Sequence, residues 1–155
     1  MTPIVDQKYT RVHGILDDIA TKGHHNSDGS EKTAQAFEQL AERGFPLVVS
    51  SSFRGNRFTA GEGVVAHQGR FGHTLVYSDT ASEVFINGLL VPYREIREIK
   101  ADWYVDILIS QKEPAVRVSV LDPATPDLFV TMQKYSELSA EIRRIARQIP
   151  ATADT

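Results

Sequence analysis

Chemistry in this chain would have to come from histidine, arginine and carboxylate side chains. Cysteine is absent, which removes disulfides, thiolate metal ligands and thiol nucleophiles together. The histidines of interest fall in two places. His24 and His25 stand beside Asp28 in the polar stretch His24-His25-Asn26-Ser27-Asp28-Gly29-Ser30. Imidazole and carboxylate are metal ligands, but adjacent histidines in a loop lack the fixed spacing that a helix or strand gives a ligand set. The stretch reads as a solvated loop, and no metal is expected. His67 and His73 flank the turn signals Gly69 and Gly72, with Arg70 near the tip. Facing one another across such a hairpin, they could hold a small anion or supply a general base; polar strand ends are the plainer reading.

Arg54 and Arg57 lie in the segment Arg54-Gly55-Asn56-Arg57, read as a loop whose guanidinium donors suit a phosphate or carboxylate. Ser50-Ser51-Ser52 has no glycine elbow and no His-Asp order nearby, so strand packing is expected of it rather than nucleophilic attack. Asp17-Asp18 falls near the end of the first expected helix, where negative charge is unfavourable, and marks either a partner contact or a solvated face. No coherent set of nucleophile, base and oxyanion donors emerges. No catalytic residue and no cofactor are assigned.

The elements that position these residues follow from periodicity. Thr2-Pro3 resembles a helix start, and Val5, Tyr9, Val12, Leu16 and Ile19 recur on one helical face up to Gly23. A second helix carries Ala34, Phe37, Leu40 and Ala41 inward and stops at Arg43-Gly44. Residues 1–44 are thus expected to be a helical pair. Leu47–Phe53 is a strand, and short strands follow at 64–68, 73–78, 83–87, 89–99, 103–111, 116–121 and 128–132. Asn87-Gly88 is the clearest hairpin turn, since a primed turn needs positive φ and this pair adopts it cheaply.

Trp103, Val105, Ile107 and Ile109 alternate with Tyr104, Asp106, Leu108 and Ser110, so one face of that strand is buried. Trp103 is expected in the core, leaving Tyr104 as an exposed anchor for a partner. Arg94 and Arg97, interleaved with Glu95 and Glu98, read as a solvated strand edge. Tyr135, Leu138, Ile142, Ile145 and Ile149 form the stripe of a C-terminal amphipathic helix ended by Pro150. Residues 151–155 read as a disordered tail.

At 155 residues, the chain has the length of one domain and needs no metal or disulfide staple. Its composition, 41% hydrophobic and 24% charged, excludes disorder and fibrous repeats. A net charge of −3 supplies no global attraction for nucleic acid, so none is expected as a partner. Without a signal-peptide pattern or a membrane span, and without cysteine, a cytoplasmic location is expected.

The order of seven short antiparallel strands and one C-terminal helix resembles pleckstrin-homology-like (PH-like) domains. Gly61-Glu62-Gly63-Val64-Val65-Ala66 is similar to the opening strand of the bacterial forms. The run from Phe85 through Asn87-Gly88, Val91-Pro92-Tyr93 and Ile96 to Ile99 is similar to their central hairpin. The resemblance covers about residues 61–149. It implies an α+β fold: the helical pair, then over 45–150 a seven- to eight-stranded, partly open barrel capped by the helix. It departs from inositide-binding relatives in the loop Gln68–His73, which carries a single Arg.

The expected function is therefore a non-enzymatic module binding a protein or peptide, or forming a homo-oligomer, with Tyr104, Arg94 and Arg97 at the interface. The alternative is binding of a small anion, lipid headgroup or peripheral membrane surface through Arg54, Arg57, His67, Arg70 and His73. A histidine-dependent enzyme stands behind both.

Overall fold

A computed structural model of the protein describes residues 9–12, 14–28, 31–108, 111–132 and 135–149. Thr2-Pro3, Val5, Ile109, Ser110, Pro150 and the tail 151–155 lie outside them. Among the described residues the architecture is α+β, with three α-helices and three antiparallel sheets, and the strands close no barrel.

The central layer is a five-stranded sheet. A meander of β5 (Val64–Gln68), β6 (Thr74–Ser78), β7 (Glu83–Ile86) and β8 (Leu89–Pro92) is extended by β1 (Thr10–Arg11), which pairs with β8. Strand side chains alternate between faces, and here both faces are buried. Leu75, Tyr77, Val84, Ile86 and Val91 enter one core, whereas Val76, Phe85 and Leu90 enter a second. The second core is completed by Leu16 of α1 (Ile15–Lys22), Leu40 of α2 (Glu31–Glu42) and Phe45. That double burial explains why Val84–Ile86 and Leu89–Val91 are apolar runs rather than alternating ones.

The first core is closed by a sheet of β9 (Ile96–Asp106), β10 (Gln111–Val120) and β11 (Leu128–Thr131), and by α3 (Tyr135–Gln148), which packs on β9 and β10. A 3-10 turn, Tyr93–Glu95, leads from β8 into β9. Leu138 and Ile145 of α3 are fully buried with Val116 and Val118 of β10, and Ile142 and Ile149 pack partly against them. The expected helical stripe is observed at Leu138, Ile142, Ile145 and Ile149.

Asn87 and Gly88 both have positive φ, 49° and 92°, as the hairpin turn requires. The Asn87 side chain does more: its Oδ1 accepts from the Thr74 amide at 2.9 Å, and its Nδ2 donates to the Phe129 carbonyl at 2.9 Å. One turn residue thereby ties the central sheet to β11.

Several sequence expectations change. The strand expected over 89–99 is broken by the 3-10 turn, and that expected over 103–111 starts earlier and ends at Asp106. Tyr9 and Val12 flank the short strand β1 instead of continuing a helix, because pairing with β8 satisfies that backbone. His25–Ser27 is not a loop but strand β2, paired with β4 (Gly55–Ala60); α1 and α2 are thus separated by a strand, and α1 packs chiefly on β5, β6 and β2. Of the arginine segment only Arg54 lies in a turn; Gly55, Asn56 and Arg57 belong to β4, which pairs along its length with β3 (Leu47–Ser52). Finally, Trp103 is exposed rather than part of the core.

Candidate functional site

The β3–β4 hairpin carries Arg54 at its turn and Arg57 on β4. Gly55, at φ 122°, passes so close to the Ser27 carbonyl that a β-carbon there would overlap it, so glycine is required where the hairpin meets β2. A recess of about 420 Å³ is lined by Asn26, Ser52, Arg54, Gly55, Asn56 and Arg57. Arg57 Nη2 donates to His24 Nδ1 at 3.2 Å, and the Arg54 guanidinium lies 5.5 Å from the Phe53 ring centre. Neither arginine pairs with a carboxylate among the described residues. His25 turns the other way, with Nδ1 3.0 Å from Asp18 Oδ2 and its ring edge on Phe37. No group of three or more potential metal ligands occurs among the described residues.

His67 and His73 do not meet. His67, on β5, reaches α3, where its Nε2 donates to Glu141 Oε1 at 2.8 Å. Glu141 is only 5% exposed, and its Oε2 has no hydrogen-bond partner among the described residues. Burial opposes charge on Glu141, but the hydrogen bond from His67, the Tyr77 hydroxyl and the nearby Arg144 together hold its pKa below the ordinary value. The same hydrogen bond raises the pKa of His67 against the opposing effect of burial. Tyr77 is pushed upward, first by burial and then by Glu141. Sequence reasoning missed Glu141. Three residues after Leu138 and four before Ile145, it falls inside the apolar stripe, and that spacing was the available signal.

His73 belongs to an aromatic cluster. Its Nδ1 accepts from the Thr131 amide at 3.3 Å, its ring meets Tyr104 edge-on at 4.6 Å, and Phe71 and Phe129 flank Tyr104. Burial lowers the pKa of His73, which agrees with a neutral, accepting Nδ1. Arg70 is neutralised by Glu113 at 2.6 Å. Tyr104 is half-buried within this cluster. His73 lines a cavity of about 300 Å³ with Arg11, Asp17, Phe71 and Asn87.

The neighbouring face of β9 is the open one. Trp103 pairs with Pro114 and Ala101 with Val116, so Trp103 and Val105 continue the face that is core at Val116 and Val118. Yet Trp103 is 52% exposed, Val105 55%, and Ile107 and Leu108, in the turn beyond, 86% and 95%. Lys112 Nζ lies 5.1 Å from the Trp103 ring centre. On the opposite face Arg117 binds Asp102 Oδ2 at 2.8 Å and Lys100 binds Glu98 at 2.9 Å. The β9–β10 hairpin thus presents one apolar face and one charged face.

Arg94 is exposed and lines a cavity of about 390 Å³ with Tyr93, Thr80, Ala81, Ser82 and Gln148. Arg97 is exposed on β9. The sequence-derived candidates therefore occupy separate places: Arg54 and Arg57 share one recess, His73 lines another cavity, and His67 is committed to α3. Among the described residues no helix is long and apolar enough to cross a membrane. Comparison with protein-family models, with curated proteins and with solved structures found no match for this chain.

Proposed function

We propose that this chain is a non-enzymatic, PH-like interaction module that binds a protein partner with the end of its β9–β10 hairpin. Support for the PH-like build lies in the order of elements: a four-strand antiparallel meander, three further antiparallel strands, and a helix packed on the second set. The single observation that carries the binding role is the run of exposed apolar side chains at Trp103, Val105, Ile107 and Leu108. Contiguous apolar exposure of this kind is characteristic of interaction surfaces, and tryptophan is prominent among residues that dominate binding energy. Lys112 beside the indole and the Arg117 cluster behind it supply the polar rim of such an interface.

The test is affinity capture from extract of the source cell, with the immobilised chain compared against a Trp103→Ala/Ile107→Asp variant. A stoichiometric protein retained by the first and lost with the second is the expected result. Equal retention by both, or none by the unmodified chain, would overturn the reading.

A further inference from the structure

The β3–β4 hairpin joins exposed apolar side chains to cations that have no carboxylate partner among the described residues. From Leu47 through Ala60 the sequence holds two arginines, Arg54 and Arg57, and no aspartate or glutamate, within a chain whose net charge is −3. At the tip of the same hairpin Phe53 is 95% exposed, and Val48 and Val49 on β3 are also exposed. Two successive strand residues point to opposite faces, so β3 is open on both sides as well as along its outer edge.

We infer that this hairpin is a docking surface for an anionic membrane, with Phe53 entering the interfacial layer while Arg54 and Arg57 pair with lipid phosphates. Charge selects the occupant. Two guanidiniums with no carboxylate partner among the described residues, Arg57 bonded only to the His24 ring, border a recess of about 420 Å³, enough to admit a phosphate group, and arginine binds phosphate through paired N–H donors. Shape then distinguishes a bilayer from an acidic protein. A solitary aromatic on a convex tip would need a matching pocket on a protein, whereas the headgroup–acyl boundary of a bilayer accepts any projecting apolar side chain. The Arg54 guanidinium over the Phe53 ring keeps both groups at the same end, as an interfacial contact demands. This surface is independent of the Trp103 face, and either could fail without the other.

The test uses the full chain carrying Phe53→Trp in a Trp103→Phe background, so that the only indole sits at the hairpin tip. With phosphatidylglycerol vesicles its emission should shift to the blue and be quenched by brominated acyl chains; phosphatidylcholine vesicles should have little effect. Adding Arg54→Gln and Arg57→Gln should lower partitioning about thirty-fold, the effect expected from two cations beside an anionic leaflet. Matching far-ultraviolet circular dichroism of all variants establishes that this loss is not unfolding. The inference is overturned if emission is unmoved by anionic vesicles, or if the arginine variant partitions equally. It is also overturned if soluble glycerophosphoglycerol or an acidic phosphopeptide binds the tip while vesicles do not.

Discussion

At the scale of single residues, the buried pair His67–Glu141 makes a claim about pH. His67 has its pKa raised in the folded state, so its contribution is complete below the ordinary imidazole value and fades as pH rises through the raised one. Glu141 has its pKa lowered, so its contribution is present above the ordinary carboxylate value and fades as pH falls through the lowered one. The pair should stabilise the fold most between 4.5 and 6.5, the two ordinary values. Denaturant titrations of the native chain and of His67→Gln across that range should differ by about 1–3 kcal/mol, with the gap shrinking above it; a gap that grows toward alkaline pH would contradict the pairing. His73 carries the opposite sign, since burial lowers its pKa and protonation would displace the Thr131 amide from Nδ1. Trp103 offers a second check: as the only tryptophan it should emit like a solvated indole and be quenched readily by acrylamide, whereas a blue, shielded emission would place it in the core.

At the scale of elements, what could be read from sequence was whatever is encoded locally. The α3 stripe is explicit at Leu138, Ile142, Ile145 and Ile149, and the turn at Asn87-Gly88 is written in its dipeptide. Strands β1, β2 and β4 were not legible, because two or three residues at Thr10–Arg11 or His25–Ser27 become strand only when β8 or β4 lies alongside. The alternation around Trp103 separates two faces, but the face expected to be buried is exposed at Trp103 and Val105, because periodicity cannot say where along β9 the covering helix stops. Arg54, Arg57 and Arg70 were legible as cations; only the fold revealed that Glu113 neutralises Arg70, while the other two have no carboxylate partner among the described residues. Asn87→Ala tests the element scale, since it removes a turn residue at positive φ and two hydrogen bonds between strands. A loss of about 2–4 kcal/mol is expected in chemical denaturation, and a loss below about 0.5 kcal/mol would show that the turn does not hold β11. Gly55→Ala should similarly weaken the β3–β4 hairpin, by about 1–3 kcal/mol, with amide exchange accelerating in β2 and β4 before the central sheet.

At the scale of the whole molecule, the central sheet is buried on both faces, with α1 and α2 over one side and the second sheet with α3 over the other. The helices α1 and α2 thus complete a core, and among the described residues most of the exposed large apolar side chains fall on the two hairpins. Removing α3 should expose Val116 and Val118 together and abolish cooperative unfolding, because burial of each large side chain contributes about 1.5–3 kcal/mol to a total of about 5–15 kcal/mol. A truncated chain that still melts cooperatively would contradict this packing.

The account depends most on the Trp103 face being a place where another protein sits. The direct measurement is photocrosslinking in the source cell from a benzophenone side chain at Ile107, with the same group at Glu38 on the outer face of α2 as control. One discrete protein adduct should form from position 107, vanish when Val105→Asp is added, and be absent from position 38. Adducts of equal yield from both positions, or an adduct indifferent to Val105→Asp, would contradict it.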